Sequence, residues 1–285
     1  GSIVNGVPRI GFMKGGTQAQ WSDIDMADEF LNQAKKYISK VKDNPFFLFY
    51  TLQQPHVPRT PHPRFEGKSG MGPRGDAIIE ADWCIGELYA HLEENKLLEN
   101  TILILSSDNG PVLNDGYYDD AVEKIGDHTP SGGLRGGKYS LFEAGTRVPL
   151  ITYWKGKIKP QVADETVSQI DFLNSIAALI GSQTKSKDGM DLSEVLFKNS
   201  GTGRSELVLE AQTKTAFRSQ NWVLIPPYPG PEKSFYTNVE LGNSENYQLF
   251  DLDSDQAQQN DLAESQPEKL NQMIKRYQEI IGSKE

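Results

Sequence analysis

The chain has a single cysteine, Cys84, so it holds no internal disulfide, and cysteine usage leaves the redox compartment open. Positive charge is also short. Lys and Arg number 29 against 39 Asp and Glu, which gives a net charge of -10. That balance disfavours nucleic acid as a partner, because phosphate backbones are gripped by clustered Lys and Arg. An anionic substrate stays admissible, since a pocket can be basic inside an acidic protein. No apolar run approaches the roughly 18 residues of a membrane span, so none is expected. There are no internal repeats and no low-complexity tract; no secretory leader is expected, and Gly1-Ser2 reads as a cleavage scar. The chain is thus expected to be a mature product, an expressed piece or a fragment.

What is present is 26 glycines and 16 prolines in 285 residues, the composition of long, structured loops around one large domain or a large and a small one. The organising stretch is Thr101 to Gly110. Ile102 to Leu105 is an unbroken aliphatic run, and Ser106-Ser107-Asp108-Asn109-Gly110 follows at once. Such a run, bounded by turn formers, reads as a strand buried on both faces. In open α/β sheets, ligands sit beyond the carboxyl ends of the strands. Asp108 and Asn109 then offer a carboxylate and an amide carbonyl, the hard oxygens that calcium or magnesium takes. The bland alternative is a strand-ending turn.

Elsewhere, Ala27, Phe30, Leu31, Ala34, Ile38 and Val41 recur at helical spacing over 23–41, behind a capping box at Ser22–Asp25. Phe46 to Leu52 reads as a second buried-type strand that ends in Gln53-Gln54-Pro55-His56-Val57-Pro58. A helix is expected over about 76–96, with Cys84 inside it as a core residue. Val148 to Trp154 is a strand, and Ser168–Asp171 caps a helix that Gly181 ends. Helices alternating with buried-type strands imply a mainly parallel sheet. After about residue 185 the pattern changes to short strands at 207–209, 215–217, 222–225 and 248–251, a small antiparallel sheet. Pro267 opens a last amphipathic helix. The expected division is 1–195 for the α/β domain and 196–285 for the small subdomain.

The loop after Asn109 carries Ser131-Gly132-Gly133-Leu134-Arg135-Gly136-Gly137-Lys138, where paired glycines allow close backbone approach to a ligand. A metal, His56 and Lys138 meeting at one point would suit a tetrahedral oxyanion ester, a sulfate or a phosphate. Taken singly, Lys138 is a solvated surface residue, Arg135 a surface ion pair and His56 a loop histidine.

Four ordered segments resemble the type I sulfatases, the arylsulfatase group of the alkaline-phosphatase-like superfamily. They are Pro55-His56-Val57-Pro58; Ser107-Asp108-Asn109-Gly110; Leu134 to Lys138 running into Phe142-Glu143-Ala144-Gly145-Thr146-Arg147-Val148-Pro149; and Tyr247 to Leu252, which leads into a terminal helix. The resemblance implies an alkaline-phosphatase-like α/β fold and a sulfuric ester hydrolase. It implies that Asp108 and Asn109 bind Ca2+ (Mg2+ as the alternative), and that His56 and Lys138 bind the sulfate oxygens, with His56 the acid for the leaving alcohol. His128 and Arg135 would be further substrate contacts. The implied ligand is a sulfated small molecule or glycan, and the implied setting is periplasmic or extracellular.

The family's formylglycine motif, Cys/Ser-x-Pro-x-Arg, is absent, and so are the paired aspartates of the first strand. The chain is therefore expected to be the later part of a longer enzyme, inactive alone, and to self-associate or pair with the missing N-terminal half. Two alternatives compete. One is a phosphodiesterase or phosphonate hydrolase of the same superfamily, which four histidines disfavour; the other is a non-catalytic glycan-binding fragment.

Overall fold

The computed structural model describes Ile3–Val4, Val7–Pro8 and residues 22–282. The chain divides into two compact units, one of Gly1–Glu99 with Leu113–His128 and one of Asn100–Val112 with Thr129–Glu285. These units do not coincide with the expected division at 195/196. Residues 1–21 lie mostly outside the described residues; their described part is a two-strand ladder of β1 (Ile3–Val4) and β2 (Val7–Pro8).

The first unit is built on α1 (Met26–Val41) and α2 (Gly72–Glu94). Ala27, Leu31, Ala34 and Ile38 recur every three or four residues and are buried, as the helical period requires. The expected capping box is not what starts α1. Asp25 gives no side-chain cap, and its N–H instead reaches the Ser22 carbonyl in a turn. From α2, Cys84 is fully buried, and burial pushes its thiol up to about 11, which makes it a core residue rather than a nucleophile. Glu80, also buried, accepts from Gln54 Nε2 at 2.8 Å and from the His62 N–H at 3.0 Å, and so pins the 53–62 loop to the helix.

Phe46 to Leu52 is not a buried strand. It is assigned to no strand, and Phe47 and Phe49 are 73% and 79% exposed. The aromatic content reads as strand, but a strand needs a ladder partner, and no described residue supplies one.

In the second unit, β3 (Ile102–Ser106) pairs with β4 (Leu150–Trp154), which the short helix α3 (Glu143–Thr146) precedes, from Ile102↔Trp154 to Ser106↔Leu150. The ladder is antiparallel, which corrects the expected parallel pairing; no parallel ladder occurs among the described residues. A parallel partner needs a crossover that carries the chain back to the starting end. Here the two ends of the connection meet at the carboxyl end of β3, where the Gly110 N–H bonds to the Gly145 carbonyl at 2.9 Å, so β4 starts where β3 stops. Nor is β3 buried on both faces. All five of its residues are half-buried, with Ile102, Ile104 and Leu150 packed on Leu192, Leu196 and Phe197. The last three belong to, or adjoin, α5 (Ser193–Lys198). The expected cap at 168–171 is present: Asp171, fully buried, accepts the Ser168 N–H at 2.9 Å ahead of α4 (Phe172–Leu179). The same carboxylate takes Arg204 Nε at 2.8 Å.

The four short strands form one antiparallel sheet in sequence order: β5 (Glu206–Ala211), β6 (Lys214–Ser219), β7 (Trp222–Ile225) and β8 (Gln248–Asp251). Its alternation is clean. Ala216, Val223, Ile225 and Phe250 face Leu141 and Phe142, whereas Phe217, Leu224 and Leu249 face Met273 and Tyr277 of α6 (Pro267–Gly282). Both faces are covered, and β6 to β8 are buried. No described helix is long and apolar enough to cross a membrane.

Candidate functional site

In the second unit, Asp108 and Asn109 follow β3 directly. Gln169 holds the strand end, donating to the Ser107 carbonyl at 2.6 Å and to Ser106 Oγ at 2.9 Å. The turn is self-bonded: the Asn109 N–H donates to Asp108 Oδ1 at 3.0 Å, and Asn109 Nδ2 donates to the Gly110 carbonyl at 2.9 Å. Those bonds leave Asp108 Oδ2 and Asn109 Oδ1 as hard oxygens not engaged by the turn. They suit calcium or magnesium in kind but not in number, since calcium takes six to eight oxygens. Among the described residues, no three His, Cys, Asp or Glu side chains are grouped to hold a metal.

Backbone contacts stitch this turn to the glycine-rich loop. The Lys138 N–H donates to the Pro111 carbonyl at 2.9 Å, and the Ala144 N–H donates to the Arg135 carbonyl at 3.0 Å. Two glycines make the approach possible. A Cβ on Gly110 would overlap the Ala144 carbonyl oxygen, and one on Gly137 would stand 2.5 Å from the Pro111 oxygen. Lys138 and the Asp108–Asn109 turn therefore belong to one backbone-bonded assembly. The Lys138 ammonium lies 5.1 Å from the centre of the Tyr139 ring. Tyr139 takes φ +77°, a conformation that non-glycine residues adopt only where the surroundings enforce it.

Arg135 is committed elsewhere. Its Nε donates to Glu240 at 2.9 Å, its Nη1 donates to the Gln258 carbonyl at 2.8 Å, and its guanidinium lies 4.0 Å from the Phe142 ring centre. The Arg135 hydrogen bond holds the Glu240 carboxyl below its usual range. Gln258 Oε1 accepts the Glu143 N–H at 2.7 Å, so buried Gln258 ties the third sequence segment to the loop that follows the fourth. These bonds tie Arg135 to Glu240 and Gln258. Glu143 and Gln258 were not foreseen, because neither stands in a pattern that marks a buried polar residue.

His56 and His128 lie in the first unit. Both peptide bonds that bracket His56, Gln54–Pro55 and Val57–Pro58, are cis. His56 Nδ1 is 2.6 Å from the Val57 carbonyl, and Nε2 is 4.0 Å from Asp115 Oδ2. A carbonyl only accepts, so Nδ1 carries the hydrogen. Nε2 then donates a proton only when the ring is the imidazolium. Arg59 anchors this loop, donating from Nε to the Pro55 carbonyl at 2.8 Å and from Nη1 to Asp119 at 2.8 Å. Asp115 and Arg59 escaped the sequence reading, since their partners lie about 60 residues away along the chain. His128 is exposed in a turn, its N–H donating to the Ile125 carbonyl at 3.3 Å.

Comparison with known proteins gives a consistent result. The sulfatase family model matches residues 14–182. An N-acetylgalactosamine-6-O-sulfatase of Bacteroides thetaiotaomicron is 44% identical over 276 residues, which is 95% of this chain and 54% of that protein. Human arylsulfatase A is 37% identical over 166 residues, 58% of this chain and 30% of that protein. A solved structure from a study of glycosaminoglycan metabolism by Bacteroides thetaiotaomicron superposes with a TM-score of 0.93 at 43% identity, covering 98% of this chain and 59% of that one. The PsFucS1 sulfatase of Pseudoalteromonas sp. shares the fold, with a TM-score of 0.75 at 24% identity over 91% of this chain and 53% of that one. The chain spans about half the length of the Bacteroides relative, and less of arylsulfatase A.

Proposed function

This chain belongs to the sulfatase family, and from that premise we propose that it is the later part of an enzyme that hydrolyses sulfate esters. The observation that carries the reading is the Lys138 N–H bond to the Pro111 carbonyl. It holds an ammonium-bearing loop against a turn that ends in a carboxylate and an amide, 30 residues earlier in the chain. A lone surface lysine has no need of two glycines and an enforced Tyr139 to hold it there.

Each group has a role that its chemistry allows. Asp108 and Asn109 would supply part of the oxygen shell of a calcium ion, with magnesium as the alternative; the other ligands would come from outside these 285 residues. Bound there, the cation would draw charge from the sulfate oxygens. Lys138 would hold a non-bridging sulfate oxygen as a compact point charge. His56, as the imidazolium, would pass its Nε2 proton to the oxygen of the departing alcohol. The nucleophile, a formylglycine in this proposal, would also lie outside the chain, since Cys84 is buried and no Cys/Ser-x-Pro-x-Arg occurs. His128 is retained as a substrate contact, whereas the bonds of Arg135 favour a shaping role.

The substrate class proposed is a sulfated sugar, supported by the printed activity of the 44% identical relative. The periplasm or cell exterior is the setting in which such a polymer is met. The exposed Phe47 and Phe49 support association of the isolated chain with itself or with the rest of the longer protein.

A release assay tests the function. The full-length gene product is expected to free sulfate from a sulfated sugar or an aryl sulfate, and its intact mass to show one Cys or Ser converted to formylglycine. The 285-residue chain alone is expected to release none. Turnover by the chain alone would overturn the division of labour, and absence of turnover by the full-length product on any sulfate ester would overturn the function.

A further inference from the structure

Of the two buried guanidiniums of the first unit, one is paired with a carboxylate and the other is not. The Arg59 side chain is 2% exposed and that of Asp119 is 13% exposed. Arg59 Nη1 reaches both Asp119 oxygens, at 2.8 and 3.2 Å, and the Leu113 carbonyl at 3.0 Å, so this carboxylate is already engaged. Arg74, in the first turn of α2, is 7% exposed, and its Nε is buried with no hydrogen-bond partner. No carboxylate of a described residue lies within ion-pair distance of it. Burial, and then the neighbouring Arg59 charge, lower the Arg74 guanidinium from its usual value, while Asp119 opposes them. Lys124 is no relief. Its stem crowds Gly72 at the start of the same helix, and its ammonium is paired with Asp120 at 2.7 Å.

A guanidinium taken out of water without a counter-ion is strongly disfavoured, and five donors in a planar fork are made to hold an oxyanion. The positive end of the 23-residue helix α2 adds to the same field.

We propose that Arg74 is the principal donor of a second anion site, which takes a sulfate or carboxylate group at the first turn of α2. The site lies beside the loop that carries His56, because Arg59 bonds the carbonyl of Pro55, the residue next to that histidine. A second acidic group on a substrate is the occupant this position favours, and a free inorganic ion has the same chemistry. The inference does not depend on the sulfatase reading, since the uncompensated charge calls for an anion whatever the reaction.

Equilibrium dialysis with labelled inorganic sulfate at low ionic strength tests it on the 285-residue chain. K138A is the background, so that the other proposed sulfate group is removed. One saturable site is expected to persist in K138A, and adding R74M should weaken it by more than about tenfold. R74K, which keeps the charge but not the fork, should fall between, and it carries the test if circular dichroism shows R74M unfolded. Competition by an oligosaccharide with two sulfates, weaker in R74M, would assign the anion to a substrate. Loss confined to inorganic sulfate would assign a free ion, and either result supports the site. No saturable binding in K138A, or equal binding with and without Arg74, overturns it.

Discussion

In the 107–112 and 134–149 segments of the second unit, the groups proposed for chemistry are placed by the backbone. Gly110 and Gly137 let carbonyls and N–H groups of distant residues touch, and Lys138 and Asp108 ride on the result. In the 53–66 and 113–124 segments of the first unit, placement is by charge. Buried Arg59 ties the His56 loop to Asp119, and Glu80 ties it to α2. The two devices fail differently. A backbone contact is lost when any Cβ is added, whereas an ion-paired loop tolerates volume changes and is lost when a partner is removed. The first device suits a group that must hold one geometry, and the second leaves a field that a ligand can complete.

The contrast is broken most severely by D119A. It removes the carboxylate that Arg59 Nη1 reaches at 2.8 Å and should cost about 3–5 kcal/mol of stability in a denaturant titration. R59M with D119L together should recover much of that loss, because an apolar pair carries no unmatched charge. Next comes G110A, which has no room beside the Ala144 carbonyl and should cost about 1–3 kcal/mol or more. The sharpening control is G86A, in the interior of α2 with no atom within 4 Å of the added methyl. It should gain up to about 1 kcal/mol, so the same substitution changes sign between the two regions. The smallest effect is at Glu240. Its carboxyl is depressed by Arg135, so its contribution is present above the ordinary Glu range and fades as pH falls through the lowered value. With 36% of the side chain exposed, E240Q should remove only about 0.2–1 kcal/mol at neutral pH, and with it this acid-side dependence. The test is thermal unfolding at several pH values.

Much of the architecture was legible in the residues. The spacing of Leu31, Ala34 and Ile38 gives α1, and the alternation of Ala216 with Phe217 and of Leu224 with Ile225 gives the doubly covered sheet. Strand direction was not legible. Ile-Leu-Ile-Leu at 102–105 is equally apolar in either orientation, and the antiparallel outcome follows from bonds such as Gly110 to Gly145. Phe46 to Leu52 carried the composition of a buried strand, but exposure is set by a neighbour that the segment does not encode. At the site, the glycine pairs around Arg135 were read as room for a ligand, whereas the approach that Gly137 makes is to the Pro111 carbonyl. They gave no hint that Arg135 itself would bond Glu240 and Gln258. Arg74 was invisible because an arginine in a loop-rich stretch reads as solvated, and only three-dimensional burial shows otherwise.

The central claim is that the Asp108–Asn109 turn and Lys138 serve one sulfate ester. The most direct measurement is kcat/KM for sulfate release by the full-length gene product carrying K138A or D108A, each verified as folded. Each should fall by about 10²-fold or more, as for loss of a group aimed at developing charge. Variants that keep wild-type kcat/KM would contradict the claim.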